Sequence, residues 1–389
     1  MAPDDRRDRI GRLLDLLRAD DTDKLESTRP FGPREFTDPG TAEAERELVF
    51  GRVPSIVAHS SELARPGDFL TLTMPRNRVI VVRQRDGGVK AFVNACRHRG
   101  ARLEERPSGR CRLFSCPYHR WSYNTDGSLR TVTYDHTFGD IDRDASGLVE
   151  LPAEERHGFV WLVDSAAATI DVAGWLGPEM DAALAGYGLD ALLCYRAEGF
   201  DEPVNWKLMQ DAFLDGYHIK FAHPNTAGKI IHTNVLAVED YGRHARFLSP
   251  RKSIDRFLEQ DPGDADLGRH VTESHYLGPN STLLRQPDHF QLLTFRPHPT
   301  DPARSRMEMR VLVPTVEDSR FDETEWEKRW NKNWQILLDV LHAEDFPLLR
   351  ASQDALASAD AGRMLLGRNE VINQIFHREL RRLTAAGER

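Results

Sequence analysis

The alternation of apolar and polar positions changes character twice along the chain. Ile10, Leu13, Leu14, Leu16 and Leu17 recur at helical spacing among charges, which predicts an N-terminal helix packed on the body of the protein. The segment PFGPREFTDPG, with three prolines and two glycines, then reads as a connector. From Phe50 to about Val163 the runs "FLTLTM", "NRVIVVRQ", "GGVKAFV" and "GFVWLV" are short and β-branched or aromatic, and Gly, Asp, Asn and Pro separate them. That spacing predicts a small all-β domain. Beyond it, helical stretches at 202–222, 323–360 and 369–385 flank two strands, "HFQLLTFRPH" and "RSRMEMRVLVP", joined by the turn-rich PTDPA. This part reads as α+β. The expected organisation is an arm and connector over 1–45, a β domain over 46–165 and an α+β domain over 166–389. There is no internal repeat and no low-complexity tract.

Composition narrows the class. A chain of 389 residues suggests two cores with extensions, and 40% hydrophobic with 29% charged residues describes a globular protein in water. No apolar run approaches the roughly 18 residues of a membrane span, and MAPDDRRDRIGRLL lacks the uncharged core of a signal peptide, so a cytoplasmic location and no membrane partner are expected. The net charge of −9 argues against nucleic acid. Four cysteines are too few for a disulfide framework, which favours metal or catalytic use for any that cluster.

Two of them do cluster. "NACRHRGARL" brings Cys96 and His98 together, and "FSCPYHRW" brings Cys116 and His119, giving C-x-H-x17-C-x2-H. Two loops each offering one thiolate and one imidazole suit a [2Fe–2S] cluster in which one iron takes both sulfurs and the other both nitrogens. Neutral imidazole reduces the cluster's negative charge and raises its potential to roughly −150 to +300 mV. Structural zinc also takes two Cys and two His, but its sites usually open with C-x2–4-C and close with H-x3–5-H. Cys111 has no histidine beside it and reads as a bystander. Arg97, Arg99, Arg102 and Arg120 give the loops a positive rim that favours an acidic electron-transfer partner.

A second constellation lies in "NWKLMQDAFLDGYHIKFAH", 205–223, which reads as a helix. On a helical wheel Leu208, Asp211, Ala212, His218, Ile219 and Ala222 fall within about 60° of Asp215, and apolar residues cover the other faces. Ionisable groups on a buried helix need partners, and one metal ion satisfies several at once. His218 and His223 stand about 140° apart on an ideal helix and converge if the helix loosens before Pro224. Two imidazoles and one carboxylate form the facial triad of non-haem Fe(II). Asp215, Glu344 and Asp345 all remain open as the carboxylate.

Together, Cys96-x-His98, Cys116-x2-His119 and the stretch from Asn205-Trp206-Lys207 to Asp215-x2-His218-x4-His223 resemble the catalytic α subunits of Rieske non-haem iron oxygenases, the aromatic ring-hydroxylating group. The resemblance covers nearly the whole chain in order. It implies an N-terminal all-β Rieske [2Fe–2S] domain followed by an α+β, helix-grip-like catalytic domain. It implies cluster ligation by Cys96, His98, Cys116 and His119 and mononuclear iron ligation by His218, His223 and Asp345. Asp215 is then the carboxylate that bridges an iron-ligand histidine to a cluster histidine of the neighbouring subunit in a head-to-tail homotrimer, with or without a β subunit. The chain departs from the family's pattern in two places: Arg120 where CPYHGW has glycine, and Asp211-Ala212-Phe213 where Glu-Asn-Phe is common.

The implied activity is hydroxylation of an aromatic or similar small organic substrate with O2. Electrons come from NAD(P)H through a separate reductase or ferredoxin, because the chain shows neither a G-x-G-x-x-G fingerprint after a strand nor a C-x4-C-x2-C run. The segment from Thr226 to Arg296 is expected to line the substrate pocket. A monooxygenase performing N- or O-demethylation shares every metal motif. The reading outside enzymes is a pure electron-transfer protein, for which residues 170–389 have no evident use.

Overall fold

A computed structural model describes residues 3–259, 266–358 and 360–385. The chain divides into two compact units, Arg46–Trp175, and Met1–Glu45 together with Leu176–Arg389.

In the unit Arg46–Trp175 the four anticipated β runs are the strands Asp68–Thr73, Arg78–Arg83, Val89–Val93 and Phe159–Leu162. The first three join Glu150–Leu151 and Ser108–Arg110 in a five-stranded antiparallel sheet, and the fourth lies between Ala153–Arg156 and Ser55–His59. The run Val79-Ile80-Val81-Val82 is apolar throughout because both faces of its strand are covered. Val79 and Val81 pack with Val57, Leu151, Val160 and Leu162. Ile80 and Val82 pack on the other face with Phe69, Phe92, Phe114, Trp121 and Tyr123, in a core that also holds Cys96 and Cys116. Strand periodicity thus seats both thiols against a closed apolar wall.

The other unit is built on a seven-stranded antiparallel sheet in the order Leu193–Glu202, Ser305–Val313, Phe290–Pro297, Ser281–Arg285, Val271–Leu277, His244–Pro250 and Ala237–Asp240. Only the hairpin of the second and third strands in that order was expected from the sequence. The N-terminal helix Pro3–Arg18 buries Ile10, Leu13 and Leu14 against Val235, Ala237, Leu248, Ile254, Leu267 and Val271, as its apolar stripe requires. The stretch Thr226–Arg296, expected to line a pocket, forms five of the seven strands, and its residues 260–265 lie outside the described residues. Among the described residues no helix is long and apolar enough to cross a membrane.

The expected helix over 205–223 is two short helices, Trp206–Asp211 and Ile219–Ala222. The cause is Asp215, whose Oδ1 accepts the backbone N–H groups of Tyr217 (2.7 Å) and His218 (3.0 Å) and so offers the chain a turn in place of another helical hydrogen bond. Asn205 caps the first helix through the N–H of Lys207 at 2.9 Å, while its Nδ2 donates to the carbonyls of Phe36 and Pro302. Trp206 Nε1 donates to Glu45 Oε2 at 2.9 Å, and Lys207 Nζ binds Glu45 Oε1. The Asn-Trp-Lys signature therefore ties this helix to the N-terminal arm.

Lys207 and Glu45 are both buried, so each charge depends on the other. Glu45→Ala leaves the ammonium unpaired and is expected to destabilise the protein by about 3–5 kcal/mol. Replacing both, as Glu45→Leu with Lys207→Met, is expected to cost less than Glu45→Ala alone. Denaturant unfolding of the three proteins measures the difference, and equal stability of Glu45→Ala and the parent contradicts the assignment.

Candidate metal centres

Cys96 and Cys116 sit in two loops closed by the same hydrogen bonds. Cys96 N–H donates to Ala101 O (2.8 Å) and Gly100 N–H to Cys96 O (2.8 Å), while Cys116 N–H donates to Trp121 O (2.8 Å) and Arg120 N–H to Cys116 O (3.0 Å). The fourth residue after each cysteine is left-handed, Gly100 at φ 75° and Arg120 at φ 60°. This explains why glycine suits position 120 in the family's pattern. A side chain there costs roughly 1–2 kcal/mol, which Arg120 bears.

Both thiols are buried and neither forms a disulfide. Burial raises the Cys96 thiol pKa, and a 3.3 Å contact with the Tyr123 hydroxyl works against that rise. The same hydroxyl accepts the N–H of Arg97 at 3.0 Å, pinning the loop to the core. The rings of His98 and His119 lie 4.6 Å apart, with Trp121 stacked on His98 at 5.0 Å and Tyr118 on His119 at 3.8 Å. Burial, then the neighbouring His119 and Arg99, lowers the pKa of His98 and favours neutral imidazole. His119 Nδ1 is buried without a hydrogen-bond partner. Two buried thiols and an orphaned imidazole nitrogen in one cradle have the donor chemistry that a [2Fe–2S] cluster satisfies. Arg97, Arg99, Arg102 and Arg120 are exposed around it. Cys111 packs against the same core, its thiol pushed up to about 11 by burial.

In the other unit, the break at Asp215 changes how the two histidines meet. His218 precedes the helix Ile219–Ala222, and His223 follows it at φ −118°, ψ 48°, already off the helical path. Their rings lie 5.2 Å apart. The loosening anticipated at Pro224 is present, but the turn before His218 removes the ideal-helix geometry altogether. Asp345 joins from the π-helical turn Leu341–Asp345, and one potential ligand atom from each of His218, His223 and Asp345 lies within 4.8 Å of the others. Asp345 Oδ1 is 3.3 Å from His223 Nε2.

Asp215 and Glu344 stand behind this group. Asp215 Oδ1 is 3.0 Å from His218 Nδ1, and Glu344 Oε2 is 2.7 Å from His223 Nδ1 and accepts the Thr226 hydroxyl at 2.6 Å. Burial works to lower the pKa of His223, yet Asp345 and Glu344 outweigh it and raise it. That is the electrostatics of carboxylates gathered where a cation is wanted, and two imidazoles with one carboxylate fit non-haem Fe(II). Asp211, expected on the same face as Asp215, points elsewhere: its carboxylate meets His377 Nε2 at 2.8 Å and Asn373 Nδ2 at 3.0 Å. Sequence spacing had offered Glu344 only as an alternative ligand. The adjacent acidic pair Glu344-Asp345 was the sole signal of its place behind His223.

Residues 54–141 match the family described as Rieske [2Fe-2S] domain, and residues 189–386 match the ring hydroxylating alpha subunit (catalytic domain). The large subunit of anthranilate 1,2-dioxygenase from Acinetobacter baylyi is 34% identical over 208 residues, 51% of this chain and 43% of that subunit. The carnitine monooxygenase oxygenase subunit of Escherichia coli K12 is 32% identical over 200 residues, 51% of this chain and 53% of the relative. The matched segments thus span about half the length of these curated relatives. Among solved structures, a quaternary ammonium Rieske monooxygenase has a TM-score of 0.76 at 21% identity, covering 90% of this chain and 94% of its own. Naphthalene 1,2-dioxygenase from Rhodococcus sp. has 0.73 at 19%, covering 99% of both chains. At those identities the likeness establishes the fold. With its Cys-His loops in the Rieske segment and its His-His-Asp group in the catalytic one, the chain belongs to the ring hydroxylating alpha-subunit family of Rieske non-haem iron oxygenases.

Proposed function

We propose that the protein is an oxygenase component that oxidises a small organic substrate with O2, using electrons delivered by a separate NAD(P)H-dependent reductase or ferredoxin. The observation that carries this reading is the presence of two donor sets in one chain, a cradle of two thiols and two imidazoles and a group of two imidazoles and a carboxylate. When bound, a [2Fe–2S] cluster supplies one-electron storage and a mononuclear Fe(II) supplies the O2 chemistry. A protein that only carried electrons would have no use for the second group.

In this reading Cys96, His98, Cys116 and His119 hold the cluster, and His218, His223 and Asp345 hold the iron. Asp215 keeps the His218 proton on Nδ1 and leaves Nε2 free to ligate. The exposed arginines attract an acidic electron-transfer protein to the cluster loops. Tyr118 and Phe138 are exposed around the cluster loops, and Tyr217 and Phe221 beside His218. Such apolar patches beside both centres support a homotrimer in which the cluster loops of one subunit meet the iron site of the next, where Asp215 bridges the two centres. Cysteines free of disulfides suit a cytoplasmic location. The reaction is ring hydroxylation in the first reading. N- or O-demethylation, a monooxygenase reaction, is the second, in keeping with one relative being a monooxygenase, and formaldehyde released from a methyl substrate separates the two.

The purified protein is expected to be reddish-brown with about three irons per chain, two in the cluster and one mononuclear. His98→Ala or Cys116→Ala should lose the cluster's visible absorption together with activity. His218→Ala should keep the colour and lose turnover, because the two sites use separate ligands. Zinc as the main metal in a colourless protein contradicts the whole reading, and full activity in His218→Ala reduces the second site to a packing feature.

Asp345→Ala and Asp215→Asn are expected to fail differently. The first removes a ligand and should lose the mononuclear iron. The second keeps all three ligands, so it should retain iron and a reducible cluster while oxidising that cluster far more slowly in a single turnover. Iron analysis and rapid-mixing absorbance on the same samples test both, and the roles are exchanged if Asp215→Asn loses the iron and Asp345→Ala keeps it.

A further inference from the structure

Consecutive residues of an α-helix point about 100° apart, so neighbours rarely serve one partner. Glu344 and Asp345 do. They close the π-helical turn Leu341–Asp345 between the helices Glu323–Val340 and Phe346–Leu356, and they meet the same imidazole at its two nitrogens. Glu344 Oε2 lies 2.7 Å from His223 Nδ1, and Asp345 Oδ1 lies 3.3 Å from Nε2. A carboxylate accepts only, so the contact at Nδ1 requires the proton to be there. With the Nδ1 proton held by Glu344, Nε2 is the nitrogen that would give up its proton to a metal, and it faces the group that His218 and Asp345 complete. His218 shows the same arrangement, with Asp215 Oδ1 at its Nδ1. Each histidine therefore has a carboxylate of its own behind it.

Glu344 is itself held. The Thr226 hydroxyl donates to the same Oε2 at 2.6 Å, and Thr226 belongs to the turn directly after His223. Gly228 N–H donates to His223 O at 2.9 Å, and a Cβ on Gly228 would come within 2.7 Å of that oxygen. Backbone and side chain thus fix His223 from two directions.

We propose that Glu344 is a positioning residue for the mononuclear metal: it selects the Nδ1–H tautomer of His223, orients the ring and makes Nε2 a stronger donor. The proposal rests on the reading of His218, His223 and Asp345 as metal ligands. A purely structural alternative, in which Glu344 only ties the turn at Thr226 to the helix, makes a different prediction, because glutamine at 344 keeps an acceptor oxygen for both donors but removes the charge.

The test uses the full chain with its cluster intact and oxidised, stripped of mononuclear metal by a chelator and titrated with Co(II). High-spin Co(II) electron paramagnetic resonance and the dissociation constant are the readouts, and the cluster's absorbance reports folding. Glu344→Ala is expected to weaken Co(II) binding about 10–100-fold. Glu344→Gln should fall between Glu344→Ala and the parent and alter the Co(II) signal. If Glu344→Ala loses the cluster's absorbance, Glu344→Gln alone decides. Parental affinity and an unchanged signal in the deciding variant overturn the proposal. His218→Ala in the same titration guards the underlying reading. If it binds Co(II) like the parent, the metal assignment fails and Glu344 with it. If it loses binding while Glu344→Ala does not, only Glu344 falls.

Discussion

Asp345 is 6% exposed, and His223 beside it is still more enclosed. A carboxylate stripped of water in this way is costly unless a cation or strong donors take water's place. The cation expected here is a metal, and the surrounding structure follows from holding its ligands dry and aligned. The sheet from Leu193–Glu202 to Ala237–Asp240 gives rigidity, with Phe295 packed against Phe213 and Thr282 accepting from Gln210 on the first short helix. The tie from Trp206 and Lys207 to Glu45 sets where that helix begins.

The cluster cradle answers the same constraint with different chemistry. Its donors are two buried thiols and two half-buried imidazoles, and the thiol and the singly protonated ring are both neutral, so the apolar core needs no paired charges there. Tyr123 contacts Cys96 from within that core, and the strand Arg78–Arg83 supplies one wall. Charge appears only outside, in the exposed arginines of the two loops. Buried thiols and a wet positive rim suit a centre that must be insulated yet reachable by an acidic partner.

Much of this was legible in the sequence, and what was not has physical causes. The four β runs of the first unit were visible because they are rich in β-branched and aromatic residues between turn-forming ones, and two of them, Arg78–Arg83 and Phe159–Leu162, are covered on both faces. The strand Val271–Leu277, "VTESHYL", was not. It is fully buried yet carries Glu273 and His275. Burial raises the Glu273 pKa, but His275, the Tyr187 hydroxyl at 2.8 Å and Arg285 at 3.1 Å outweigh it and hold the carboxyl below its ordinary value. Glu273 and Arg285 are direct cross-strand partners, so only the register discloses the pairing. A polar residue whose partner is distant in sequence looks like surface until the sheet is assembled. The same reason separated Asp211, bound by Asn373 and His377, from Asp215, four residues on. The clustering of thiols and imidazoles, in contrast, was legible from short spacings, since each Cys-His pair lies within one loop.

The least legible features are the ones that shape the iron site, and all are irregularities in helices. A continuous helix over 205–223 would splay His218 and His223 about 140° apart. Asp215 prevents it by taking two backbone N–H groups, and with the same Oδ1 it meets His218 Nδ1. One carboxylate thus holds the turn that brings the histidines within 5.2 Å and orients one of them. On the opposite side the π-helical turn at Leu341–Asp345 lets two adjacent carboxylates reach one ring. Propensity favours the regular helix in both places, and a local hydrogen bond or a widened turn overrides it. Local folding and ligand geometry are therefore the same interactions at this site, so a substitution that restores regular helix there improves propensity while dismantling the metal group.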